Sequence, residues 1–277
     1  MRAFAAFAAG AALFVIGPAA TAADLASRAP AAAPPIFTTS GLYVAGSAGF
    51  GWNPSFGQTP DSVQGPSTGT LVPPNSFHLS TDAGFSGVAS VGWAFGNGLR
   101  IEAEYGHRTN KVDSFVTTYG FPVTHDIRSG SITSDSAMVN LLYDIGATMG
   151  WPVHLTVGGG IGYARLNYNN VAVRARDGTT GYQTVRLDDD SSGFAWQGIV
   201  GLSYPIPSIP GLSLTADYRY FGTTSRGVRG SIVQGAITAA GVVGATVATG
   251  TSRARSDYSN HSVMVGLRYS FGQGRQL

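Results

Sequence analysis

The stretch Val263-Met264-Val265-Gly266-Leu267-Arg268-Tyr269-Ser270-Phe271 alternates apolar residues with small or polar ones and finishes on an aromatic, close to the end of the 277-residue sequence. In an extended strand successive side chains point to opposite faces. Val263, Val265, Leu267, Tyr269 and Phe271 therefore share one face, and Ser262, Gly266, Arg268 and Ser270 share the other. One face suits hydrocarbon, the other water. The pattern recurs in 212–220, where Leu212, Leu214, Ala216, Tyr218 and Tyr220 oppose Ser213, Thr215, Asp217 and Arg219, and again in 99–105, where Arg100, Glu102 and Glu104 share a face. Locally this fits a soluble sandwich as well as a membrane barrel, so export signals, connection lengths and aromatic placement must decide.

The first 22 residues read as a secretory signal: Arg2, an apolar run from Ala3 to Ile16, a Gly17-Pro18 break, then Ala20-Thr21-Ala22, with cleavage expected between Ala22 and Ala23. As a helix the run would rise only about 21 Å, short of the roughly 30 Å hydrocarbon core, which argues against a membrane anchor. No other stretch is long and apolar enough for a spanning helix, so anything that spans must be built of strands. Removing Arg2 leaves 16 Lys+Arg (17 − 1) against 15 Asp+Glu, a balance that gives no bulk electrostatic reason to bind nucleic acid. With no cysteine, disulfides, thiol chemistry and Cys-based zinc sites are excluded. Glycine, at 39 residues, has no collagen period and falls inside the alternating segments, where it marks close approach or bending.

The predicted layout is a signal peptide over 1–22, an Ala/Pro-rich periplasmic tether over 23–40, an all-β barrel over 41–271 and a short C-terminal extension over 272–277. Eight antiparallel transmembrane strands are expected at 41–52, 83–95, 99–110, 132–145, 153–166, 192–204, 212–222 and 258–271, each long enough for the roughly 9 to 11 residues of a tilted span. The connections 96–98, 146–152 and 205–211 are short, whereas 53–82, 111–131, 167–191 and 223–257 are long. Short turns on the periplasmic side and long excursions outside are the pattern of outer-membrane barrels. Aromatics fall at both strand ends, with Trp93, Phe95, Tyr143, Tyr204, Tyr269 and Phe271 in a periplasmic girdle and Trp52, Phe85, Tyr105, Tyr163, Trp196, Tyr218 and Tyr220 in an outer one. The apolar segment 231–249 admits two readings: a hairpin standing above the membrane, which its short arms favour, or two further spanning strands giving ten.

Ala23-Asp24-Leu25, the Pro/Ala tether, the opening Ser40-Gly41-Leu42-Tyr43-Val44-Ala45-Gly46-Ser47-Ala48-Gly49-Phe50 and the closing Val265-Gly266-Leu267-Arg268-Tyr269-Ser270-Phe271 resemble the small outer-membrane β-barrel family of alphaproteobacteria, variously called porin-family, opacity-like or outer-membrane immunogenic proteins. The resemblance implies an integral, multi-pass protein of the bacterial outer membrane that contributes to envelope integrity and surface contact, some relatives being porins or ligand binders. It implies no catalytic residue and no cofactor. Val265, Leu267, Tyr269 and Phe271 resemble the C-terminal signal read by the outer-membrane insertion machinery. Here six residues follow it, from Gly272 to Leu277, where family members often end on the aromatic.

The facings place Arg100, Glu102, Glu104, Asp144, Asp217, Arg219 and Arg268 inside the barrel. An eight-stranded barrel is just wide enough for side chains to fill, so these charges are expected to pair across the lumen and plug it, against the alternative of a narrow porin. A lipid acyl hydrolase or transferase is the competing enzymatic class, but the histidines His78, His107, His125, His154 and His261 come with no Gly-x-Ser-x-Gly elbow. Gly158-Gly159-Gly160-Ile161-Gly162 lacks the Lys-Ser/Thr of a phosphate loop, and Asp188-Asp189-Asp190 lacks the ligand spacing of a dedicated calcium site, so no metal site is expected. Arg174, Arg176, Arg186, Arg226, Arg229, Arg253 and Arg255 in the long connections are candidates for binding lipopolysaccharide phosphates or anionic host glycans, against ordinary solubility.

Overall fold

In the computed structural model the described residues are 37–38, 40–54, 56–58, 60–64, 75–118, 124–176, 181–187, 189–224, 226–237, 243–256, 258–272 and 275–276. The leader, its Ala22–Ala23 cleavage point and tether residues 23–36 lie outside them. Eight antiparallel strands form the barrel wall: β1 (Ser40–Trp52), β2 (Gly84–Phe95), β3 (Leu99–Thr118), β4 (Thr124–Ile145), β5 (His154–Arg176), β6 (Asp190–Pro205), β7 (Leu212–Thr223) and β8 (Ser259–Ser270). Each pairs with its sequence neighbours. β8 returns to β1 in a register running from His261↔Trp52 to Ser270↔Tyr43, which closes the wall. The backbone polar groups thus find partners between strands, as a hydrocarbon environment requires.

The alternation read from the sequence is the alternation of the wall. On β8, Val263, Val265, Leu267 and Tyr269 are exposed on the outer surface, while Ser262, Met264, Arg268 and Ser270 are buried; Leu267 is 52 % exposed and its neighbour Arg268 only 5 %. The outward surface carries the expected girdle aromatics: Trp93, Phe95, Tyr143, Tyr204, Tyr269 and Phe271 at the short-turn end, and Trp52, Phe85, Tyr105, Tyr163, Trp196 and Tyr218 at the other. The β2–β3 turn needs glycine at two positions, since Gly96 and Gly98 have φ of 81° and 89°, and Asn97 between them accepts a bond from the Leu99 amide at 3.0 Å through its side chain.

The long connections differ from the sequence reading. The expected strands 99–110, 132–145 and 153–166 run on to Thr118, begin already at Thr124 and continue to Arg176. Much of what alternation alone leaves as connection is paired strand. Gly181–Leu187 pairs with β5 and with Arg226–Ile237, which pairs with Val243–Ser256. Ser76–Thr81 pairs with the upper part of β3. The segment 231–249 therefore belongs to a hairpin above the barrel; the ten-strand alternative fails because β7 pairs directly with β8. Inside this collar Ile132, Leu166, Tyr168, Val171, Val173, Val185, Leu187 and Ile232 form an apolar core continuous with Met138, Ala195 and Phe221 of the barrel interior.

If Leu267 faces acyl chains near mid-depth, Leu267→Arg should lower stability by about 2–4 kcal/mol in denaturant unfolding of barrels folded into lipid vesicles. A neutral outcome would show that this face does not contact lipid.

Candidate functional site

Inward positions bring every charge predicted for the lumen into one network. Asp144 on β4 accepts from the Arg100 guanidinium at 2.9 Å and from the Thr156 hydroxyl at 2.7 Å on one oxygen, and from Arg268 at 3.2 Å on the other. Arg268 also donates to the Ser203 hydroxyl at 3.0 Å. Glu102 accepts from the Tyr43 hydroxyl at 2.9 Å, from the Asn140 amide at 3.0 Å and from the Ser90 hydroxyl at 3.3 Å, with Arg100 at 3.9 Å. Glu104 receives Arg219, the Asn140 amide at 2.9 Å and the Gln197 amide at 3.0 Å. Asp217 stands 3.6 Å from the second terminal nitrogen of Arg219. The two-residue spacing of Arg100, Glu102 and Glu104 is what stacks these centres along the barrel axis.

Two glycines make the network fit. A side chain at Gly160 would collide with the Asn140 amide oxygen, and one at Gly92 with the Tyr43 ring and hydroxyl. The Gly158–Gly162 run is thus accounted for in part as inner wall cut back to seat Asn140, which bridges Glu102 and Glu104. Between Arg100, Glu102, Asp217, Arg219 and Arg268 there remains a cavity of about 30 Å³, room for about two or three water molecules.

Tyr43, Asn140 and Gln197 complete the network and carry no charge, so a search for charges passes over them. Parity finds them: each lies on the inward face of its strand. Arg108 is a charge that the same parity places inside, four residues beyond Glu104 and within the expected strand 99–110, although the inward charges named from the sequence end at Glu104. Its guanidinium is fully buried over the Phe221 ring at 4.1 Å.

The other candidates lie elsewhere. Val265, Leu267, Tyr269 and Phe271 all face outward. Arg186 and Arg229 are exposed on the collar, Arg174 lies over the Tyr182 ring at 5.2 Å, and Arg176 is half-buried. The side chains of Arg226, Arg253 and Arg255 lie outside the described residues, as does Asp188. Asp189 accepts a bond from the Arg229 amide at 2.7 Å, and Asp190 is 2.5 Å from Arg165. Among the described residues no group of three or more metal-ligating side chains assembles. His154 is buried, and His261 stacks on Trp52 at 5.6 Å while pairing with the Tyr218 hydroxyl at 2.7 Å. His107 lies 2.8 Å from Asp135, which also accepts from the Tyr105 hydroxyl at 2.7 Å. Among the described residues no serine or threonine hydroxyl joins that pair.

Residues 9–271 match the family described as outer membrane protein beta-barrel domain. The chain belongs to that family. A protein of Gluconacetobacter diazotrophicus named simply "Outer membrane protein" is 35 % identical over 253 residues, covering 89 % of this chain and 61 % of its own length, so the chain spans about three-fifths of that relative. Among solved structures the barrel resembles Neisserial surface protein A at 19 % identity and a TM-score of 0.43, over 84 % of this chain and 99 % of that one. It also resembles OprG of Pseudomonas aeruginosa at 11 % identity and a TM-score of 0.42, over 84 % and 98 %. This family member is an integral β-barrel of the Gram-negative outer membrane.

Removing one member of a buried ion pair strands the other. Glu104→Leu should therefore destabilise the barrel by about 3–5 kcal/mol, whereas the double change Glu104→Leu, Arg219→Leu should recover much of that loss. A denaturant double-mutant cycle reads the difference, and additive losses would mean that Glu104 and Arg219 do not act as a pair.

Proposed function

We propose that this barrel is a closed structural and surface-contacting protein of the outer membrane, with no catalytic activity, its long connections facing the cell exterior and its short turns the periplasm. The observation that carries the reading is the Asp144, Glu102 and Glu104 network, which crosses the interior and leaves a cavity with room for about two or three waters. An ion crossing it would have to break charge-assisted bonds that nothing in the apolar core above replaces. The His107–Asp135 pair, joined by the Tyr105 hydroxyl but by no serine or threonine hydroxyl among the described residues, supports the non-catalytic side of the proposal. The purified protein in planar bilayers should show no stable single-channel openings. Regular openings of porin size would favour the narrow-porin alternative.

A second reading has its own support. Arg186 stands opposite Ser231 on the collar, and Arg229 lies two residues along the same strand, so the two exposed guanidiniums are diagonal neighbours on one face. Paired guanidiniums suit phosphate or carboxylate bidentately, which favours lipopolysaccharide or an anionic surface glycan as a collar-bound partner. Arg186→Gln with Arg229→Gln should reduce lipopolysaccharide association several-fold while leaving barrel folding unchanged, as read by gel mobility before and after boiling. Unchanged association would remove this reading.

A further inference from the structure

Arg108 is the one inward arginine with no acidic partner among the described residues. Glu104, the nearest acid on its own face, already receives Arg219, Asn140 and Gln197. Arg100 and Arg268 share Asp144, and Arg219 also reaches Asp217. One terminal nitrogen of Arg108 donates to Ser136 at 3.1 Å, but Nε and the other terminal nitrogen have no partner. The register sets Ser86 and Ser134 directly opposite Arg108 on the two flanking strands. Both are buried, and both hydroxyls also lack a partner. The side chain is held there: Phe221 covers one face of the guanidinium, and Gly106, where an added Cβ would lie 3.0 Å from the Arg108 nitrogen bonded to Ser136, leaves it room to fold inward.

We infer that the upper lumen holds a small monovalent anion of the halide class, bound by Arg108 with the Ser86 and Ser134 hydroxyls. A full charge withdrawn from water needs a counter-charge, and buried polar groups without partners mark a missing water or ion. Water satisfies only part of this demand, because it can accept from these donors but brings no charge to oppose that of the guanidinium. A halide accepts from the guanidinium and both hydroxyls at once and cancels the charge. Phe221, which covers the guanidinium, belongs to an apolar core with Ile132 and Leu166, surroundings that favour a small anion without its water shell. Full burial also means that the ion is captured as the wall closes and exchanges slowly afterwards.

Bromide is the probe. Barrels refolded in sodium bromide and crystallised should give an anomalous bromine peak within hydrogen-bond distance of Arg108 Nε. In refolded protein at constant ionic strength, the thermal midpoint should be higher in chloride than in gluconate, and Arg108→Met should abolish both that difference and the peak. A wild-type map with ordered water but no bromine at Arg108 would overturn the assignment, as would an equal chloride effect in the variant. The wild-type diffraction stands alone if Arg108→Met does not fold. Neither readout depends on whether the barrel conducts, so the result is independent of the proposed closure.

Discussion

Hydrocarbon offers a backbone no hydrogen-bond partner, and from that single restriction most of this molecule follows. A sheet placed in lipid must close on itself, and here closure is the pairing of β8 with β1, from His261↔Trp52 to Ser270↔Tyr43. Eight strands make a narrow cylinder whose interior must be filled by side chains. Alternation then sorts the residues without further instruction: Val265 and Leu267 go to the lipid, Met264 and Arg268 to the inside.

What fills the inside is decided by chemistry at close quarters. Charges drawn into so small a space are costly unless they are paired and hydrogen-bonded. The chain supplies this with three arginines on three strands, Arg100, Arg219 and Arg268, converging on carboxylates of β3, β4 and β7. Uncharged intermediaries complete it. Asn140 touches both Glu102 and Glu104, and Tyr43 donates to Glu102 while accepting from Arg100. The abundance of glycine, which in composition alone signals bending, has a second cause here. Gly92 and Gly160 are hollows in the inner wall that make room for Tyr43 and Asn140.

The barrel, its strand number, its facings and the girdle aromatics were legible because a two-residue period is written into each segment, and a slip of one residue would invert it. The lumen charges were legible for the same reason. Asn140 and Gln197 were not, since an amide on an inward face announces itself only once its carboxylate partner is in place. Arg108 lay inside the expected strand 99–110 and on the 100-102-104 parity, but the facing was followed only as far as residue 105. The collar was hidden because the upper strands lose the contrast that marks a spanning strand, as where Val171, Ala172 and Val173 of β5 are buried in a row. Their residues pack on one another through Ile132, Tyr168 and Val173, a tertiary preference with no local signature.

With the long connections facing the cell exterior, as proposed, the pairing within the collar decides how the molecule is met there. A protease or an antibody raised against a short peptide recognises chain that can be drawn out straight and laid against its own edge. Segments such as Gly181–Leu187 and Arg226–Ile237 already have neighbours on both sides, and drawing either one out means first breaking two ladders. What these paired segments offer to the environment is therefore relief and charge in fixed array, read as shape.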